Sequence, residues 1–332
     1  METPGRLRIM ILRLAHALTS GAILLVFSEG FFWARPLPGM LPPDGLATFL
    51  AYAAAAYVFL TLVGAFRIRS LPALFLAGAA YGWLVEGVIV QTMYDELPLS
   101  ISFTGLAWHA LISVLLGWYA LPLTLRRGRR PSTSALASGV GLAYGLWALW
   151  WWTEEPPAAS LPDFAVFTFG CTLLLAVAYG VAARLPPVSF RPSRRESIGA
   201  LCLVGAYFLV VAVPSRPVAL AILPPLALVL WAALRRNARC ETQPDLLAWL
   251  GTQPPPRLAD LLCLGCLPLA ATLVYGLAGV LGARPMTGWV LYTLSVPAGF
   301  GLLIGSVVAI LRKKPLPVRT QPASIGNEVE VS

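Results

Sequence analysis

Hydrophobic residues run in long stretches along this chain, and polar residues gather in the short gaps between them. Ten stretches are long enough for a helix to cross the bilayer's apolar core, which takes about 20 residues. They cover roughly 8–33, 46–65, 71–93, 101–124, 134–152, 163–183, 197–213, 217–234, 259–281 and 287–311. The seventh and eighth are the shortest and Pro224 and Pro225 interrupt the eighth, so a re-entrant hairpin is the alternative for that pair. The pattern predicts an all-α, polytopic transmembrane bundle of about ten helices. It forms a single domain over residues 1–311, with a loop at 235–258 and a disordered tail at 312–332. Within the loop, Pro244 to Gly251 predicts a short interfacial helix with Trp249 and its leucines facing lipid.

Charge in the gaps adds an orientation. With the N-terminus inside, 21 of the 24 Lys and Arg residues fall on the cytoplasmic side, leaving only Arg35, Arg216 and Arg284 outside. Short loops rich in Lys and Arg stay in the cytoplasm, so an even number of crossings follows, with both termini and the tail cytoplasmic and the plasma membrane as location. Asp44, Asp95, Glu96, Glu154, Glu155 and Asp163 fall in the outer loops. The aromatic clusters Phe31–Trp33 and Trp150–Trp152 end the first and fifth runs at the outer interface. The first run follows Arg6, Arg8 and Arg13, continues to Trp33 through Glu29 and has no small-x-small cleavage signal, which predicts a retained helix.

Composition narrows the partners. With 58% hydrophobic and 12% charged residues, the chain lacks the polar surface of a soluble particle, and membrane lipids are the expected partners. The net charge of +9 is distributed as loop anchors, not as a nucleic-acid surface. Five cysteines are an odd number and four lie in apolar runs, which excludes a secreted disulfide framework. Cys263 and Cys266 spell CxxC without a second ligand pair, so neither a metal nor a cofactor is expected. P-loop, GxSxG and HExxH motifs are absent.

An ionisable group inside a spanning helix costs about 2.5–3.5 kcal/mol at the bilayer centre and calls for a partner, water or a function. Glu29, Glu86 and His109 lie on the first, third and fourth runs, at a common depth of roughly 6–12 Å from the outer surface. Glu86 and His109 are the candidate catalytic pair, with a structural hydrogen bond between helices as the bland alternative. Glu29 is a candidate assistant, or a solvated interfacial acid. Asp95 and Glu96 occupy the turn joining the two helices of the pair. Trp83, Tyr94 and Trp108 suit either an aromatic belt or a pocket, and His16 a headgroup contact. The Glu-Glu-x-x-x-Arg motif of membrane glutamic endopeptidases is not met: Gly87 follows Glu86, Gln91 stands at the arginine position and no second histidine follows His109.

Three functions fit this pattern. One is a membrane-embedded enzyme acting on a lipid or isoprenoid-like substrate through Glu86, His109 and Glu29. The others are a proton-coupled small-molecule transporter and a noncatalytic scaffold or assembly subunit. Ionisable residues confined to the first four helices favour a local site over a pathway through the whole bundle.

Overall fold

A computed structural model describes residues 4–35, 44–154, 158–191, 193–283 and 287–313, and these are all-helical, with no strand. Glu155, Arg284, Lys314, Arg319 and the tail beyond residue 313 lie outside the described residues. Ten long helices follow in chain order. They are α1 (Gly5–Trp33), α2 (Asp44–Ala65), α3 (Leu71–Ile89), α4 (Leu99–Arg126) and α5 (Arg130–Ala148), then α6 (Leu161–Ala182), α7 (Arg194–Ser215), α8 (Ala219–Cys240), α9 (Leu258–Val280) and α10 (Thr287–Leu311). Among the described residues, all of these but α5 are long and apolar enough to cross a membrane.

The exception has a local cause. α5 opens on the polar run Arg130-Pro-Ser-Thr-Ser and is rich in glycine, which lowers its apolar content below that of its neighbours. It also stops at Ala148, short of the expected Trp152; a turn at 149–150 and a one-turn helix, Trp151–Glu154, follow. The last carbonyls of a helix lack partners inside it. At the end of α1 the Phe32 carbonyl accepts hydrogen bonds from both Trp147 Nε1 (2.5 Å) and Trp151 Nε1 (2.7 Å), and the Trp33 ring stacks on Trp151. The tryptophan cluster therefore binds protein at this level of the bundle.

The seventh and eighth segments, where the sequence leaves a re-entrant hairpin open, form helices long and apolar enough to cross. α7 and α8 are each 22 residues, and Pro224 and Pro225 lie within α8 without ending it. A capping box of Ser193 and Glu196 starts α7. α7 is the most peripheral helix, 11% buried over its most apolar window, whereas α3 and α4 are the central ones at 78% and 67%.

Loop contacts sort the helix ends into two groups. At the end where α1 begins, Arg13 donates to the Ser189 and Arg191 carbonyls, Leu246 N–H to Ile68 and Arg126 to Leu250 and Ala182. Arg130 pairs with Asp260 there (2.9 Å), and Lys313 Nζ donates to Asn237 (2.8 Å). At the end where α1 finishes, Arg216 pairs with Asp95, Tyr292 donates to Glu96, and Tyr275 to the Ala159 carbonyl. α5 connects the two groups, with Arg130 at one end and Trp147 at the other.

The short helix expected in the 235–258 loop forms at Leu246–Gly251, capped by the Asp245 side chain. Its leucines do not face lipid: Leu246 and Leu250 are buried against the bundle, and Arg69 lies 4.3 Å over the Trp249 ring. Tethering by Ile68 and Arg126 turns that apolar face inward. His16 likewise departs from a headgroup role, since its buried ring meets the Pro186 carbonyl at 3.0 Å and the edge of Phe190.

Small residues let the central helices approach. A Cβ on Gly82 of α3 would stand 2.2 Å from the Gly105 carbonyl oxygen of α4, and one on Gly105 2.6 Å from the Trp83 ring. Such contacts are what small residues provide between membrane helices. Gly82→Ala should therefore lower stability by about 1–3 kcal/mol, the usual cost of overpacking. Gly139→Ala, which meets nothing within 4 Å, should leave the thermal midpoint in detergent unchanged or raise it. Equal midpoints for both variants would refute the close α3–α4 approach.

Candidate functional site

The close approach at Gly82 and Gly105 sets two polar side chains of α3 and α4 against each other. Glu86 Oε1 and His109 Nε2 lie 2.7 Å apart, with His109 fully enclosed and the Glu86 carboxyl nearly so. His109 Nδ1 meets Ser28 Oγ of α1 at 2.9 Å. Ser28 Oγ also contacts Ser113 Oγ (3.0 Å) and the Tyr81 hydroxyl (3.2 Å). The second carboxyl oxygen of Glu86 accepts from the Thr92 hydroxyl. The result is one chain running from exposed Thr92 through buried Glu86, His109 and Ser28 to Tyr81 or Ser113.

Backbone geometry explains why these residues converge. Ser28, Glu86 and His109 each sit in a π-helical segment, at Val26–Gly30, Val85–Ile89 and Phe103–Ala120. There the N–H bonds reach five residues back, as in Val90 to Val85 at 2.9 Å. Widened turns of this kind leave carbonyls without their helical donors, and buried carbonyls need replacements. Each segment receives one from a side chain: Trp108 Nε1 donates to Phe27, Tyr94 to Gly87 and Tyr179 to Gly117. Burial pushes the Tyr94 hydroxyl up to about 12, so it stays protonated as a donor at neutral pH. Trp83, Tyr94 and Trp108 are thus interior donors, with Trp83 bonded to the Ile101 carbonyl, and do not form a lipid-facing belt.

Glu29 faces another way. Its carboxyl accepts from the Tyr52 hydroxyl (2.5 Å) and from Trp33 Nε1 (2.9 Å), and the structure gives it no hydrogen bond to Glu86 or His109. It is half-buried between α1 and α2, adjacent to Ser28 in sequence but served by its own donors. Toward the end where α1 begins, Leu24, Phe27, Phe59 and Trp118 form a buried apolar layer below the chain of hydroxyls.

On the other side lies a cleft of about 350 Å³ that Glu86 and His109 do not themselves line. Thr92, whose hydroxyl donates to the Glu86 carboxyl, and Thr104 are among its lining residues. Asp95, Glu96 and Glu154 supply carboxyls to its walls, and Phe103, Trp150, Trp289 and Tyr292 supply rings. Arg216 meets Asp95 at 2.5 Å, and Tyr292 donates to Glu96 at 3.2 Å.

Sequence reasoning had singled out Glu86 and His109 but not the hydroxyl partners. Ser113 stands four residues after His109, on the same face of an ordinary helix, and Tyr81 five before Glu86. What spacing along the chain does not show is that Ser28, on another helix, joins both hydroxyls to His109. Compared with known proteins, the chain matches no family model, no curated protein and no solved structure.

Chemically, the chain can hold and pass a proton. An imidazole with Nε2–H donated to a carboxylate accepts at Nδ1 from Ser28, whose oxygen then accepts from Tyr81 or Ser113. With the ring doubly protonated, Ser28 accepts from Nδ1 and donates onward to either hydroxyl. Both states keep every heavy atom in place, so the proton inventory can change without repacking.

Proposed function

We propose that this protein crosses the membrane ten times and uses the Glu86–His109–Ser28 chain for acid–base chemistry on a lipid-like substrate in the outer half of the bilayer. The observation that carries the reading is the 2.7 Å contact between Glu86 and His109, backed by Ser28 and joined through Thr92 to the cleft that Thr92 lines. Glu86 lies directly behind Thr92 and acts as general acid or base at the oxygen now held by Thr92. His109 fixes the other oxygen, and Ser28 lets the ring gain or lose its second proton. Glu29 supports the site by anchoring α1 to α2.

Ten crossings rest on the two groups of helix ends, which α5 bridges as its longer neighbours do, 19 residues giving about 28 Å. The cytoplasmic assignment of both termini, and the plasma membrane as location, rest on the 21-to-3 division of Lys and Arg. The end where α1 finishes is then the outer face, and the cleft opens there. The apolar layer of Leu24, Phe27, Phe59 and Trp118 supports a one-sided reaction site over a path through the bilayer.

Two experiments test the reading. In a cysteine-free background, Glu154→Cys should react with a membrane-impermeant maleimide in intact cells, and Gly128→Cys only after permeabilisation; the reverse pattern would invert the orientation. The full chain in vesicles containing phosphatidylethanolamine and polyprenyl phosphate should form a new lipid species detectable by mass spectrometry. Glu86→Gln, whose amide oxygen can still accept from His109, should slow that conversion by at least about 100-fold, in the range of general acid–base catalysis, while the protein still folds. Unchanged conversion in Glu86→Gln, or Glu86-dependent proton flux into dye-loaded vesicles without lipid conversion, would contradict the enzyme reading.

A further inference from the structure

The cleft lined by Thr92 is not an isolated hollow. A second cavity, an apolar groove of about 190 Å³, lies along the seam of α4, α5 and α10, and Phe103 lines both. Phe31, Trp108, Ile112, Leu116 and Tyr144 are among the groove's walls, and its lining is almost wholly apolar. It reaches the surface at exposed Ala143, next to the exposed Leu142 and Leu146 on the lipid-facing side of α5. α10 serves both spaces, giving Leu291 and Ser295 to the groove and Trp289 and Tyr292 to the cleft.

The two cavities differ sharply in chemistry. The cleft places the carboxyls of Asp95, Glu96 and Glu154 among aromatic rings, and among the described residues Arg216 pairs with Asp95. Carboxylates attract a cation by charge, and the faces of Trp and Tyr attract it through their ring quadrupoles. The groove offers the opposite environment, one that an alkyl or isoprenyl chain fills at no polar cost. A ligand spanning both is an amphiphile, and its head must be positive.

We propose that the α4–α5–α10 seam binds one amine-headed lipid, its ammonium in the cleft beside Glu96 and Glu154 and its chain in the groove below Phe103. This deepens the acid–base reading, on which it rests for the role of Glu86, by naming the substrate class. The headgroup then sits over Thr92, whose hydroxyl donates to the Glu86 carboxyl. Entry is lateral, from the lipid past Ala143, so the head need not cross the apolar layer beneath the site.

The test uses the full chain in maltoside micelles and native mass spectrometry with hexadecylamine, hexadecanol, hexadecyl sulfate and butylamine as probes. One hexadecylamine should remain bound per protein, at least tenfold more tightly than the alcohol or the short amine, and the sulfate should not be held. The double variant Glu96→Gln/Glu154→Gln should weaken hexadecylamine at least tenfold. Ala143→Trp, an exposed position that blocks the groove mouth without disturbing the core, should do the same. Equal retention of amine and alcohol would overturn the choice of head, and amine binding unchanged by both variants would overturn the site. Binding is read here without turnover. Selective amine binding by a protein whose lipid conversion ignores Glu86 would thus refute the catalytic reading alone, and Glu86-dependent conversion without amine selectivity would refute this inference alone.

Discussion

A carboxyl group taken from water into an apolar helix bundle must find a partner, and the arrangement of the four N-terminal helices follows from how Glu86 finds one. A lone charge there would cost several kcal/mol, and breaking a buried pair costs about 3–5 kcal/mol. His109 supplies the partner at 2.7 Å, but only because α3 and α4 come together at Gly82 and Gly105. The imidazole's second nitrogen then has to be satisfied in its turn, and Ser28 draws α1 into the contact. Each satisfied group creates the next requirement, and the sequence of requirements ends at Tyr81 and Ser113, whose hydroxyls both give and accept.

That polar chain is sustained by backbone that gives up ordinary helical bonding. The π segments of α1, α3 and α4 bring side chains four and five residues apart onto one face, and the carbonyls they strand are met by Trp108, Tyr94 and Tyr179. Aromatic residues thus act here through their N–H and O–H groups as much as through their area. Around this rigid centre the remaining helices are simpler. α7 and α10 show most of their surface to the outside, and what α10 contributes to the site is a wall, Trp289 and Tyr292, not a reacting group.

How much of this could be read from the sequence depends on which physical signal recorded it. Long apolar runs mark helices well, because crossing lipid demands them, and nine of the predicted spans stand among the described residues as helices apolar enough to do so. The fifth run was legible as a helix but not in its bounds: three tryptophans look like the end of a span, whereas two helix-end carbonyl bonds converging on Phe32 break the helix before them. Glu86 and His109 stood out because charge is rare in such helices, and their pairing needed only neighbouring positions across one turn. Glu29 stood out equally, yet Tyr52 and Trp33 hold it away from the pair, and neither signal shows in hydropathy. Ser28, Tyr81 and Ser113 carry no mark in the sequence, because hydroxyls are common in membrane helices and their contacts join different helices. The inward face of Leu246 and Leu250 is unmarked for a related reason, since an amphipathic turn looks the same whether lipid or protein covers it.

The central claim is the hydrogen-bonded state of one imidazole, and it can be observed directly. In His16→Gln protein labelled with 15N-histidine, His109 is the remaining native ring, and its nitrogen and attached-proton resonances report both partners. Our account predicts a slowly exchanging, strongly downfield Nε2 proton that is lost in Glu86→Gln, and an Nδ1 shift that moves when Ser28 becomes alanine. An Nε2 proton in fast exchange with water, with both nitrogens indifferent to the Glu86 and Ser28 substitutions, would contradict it.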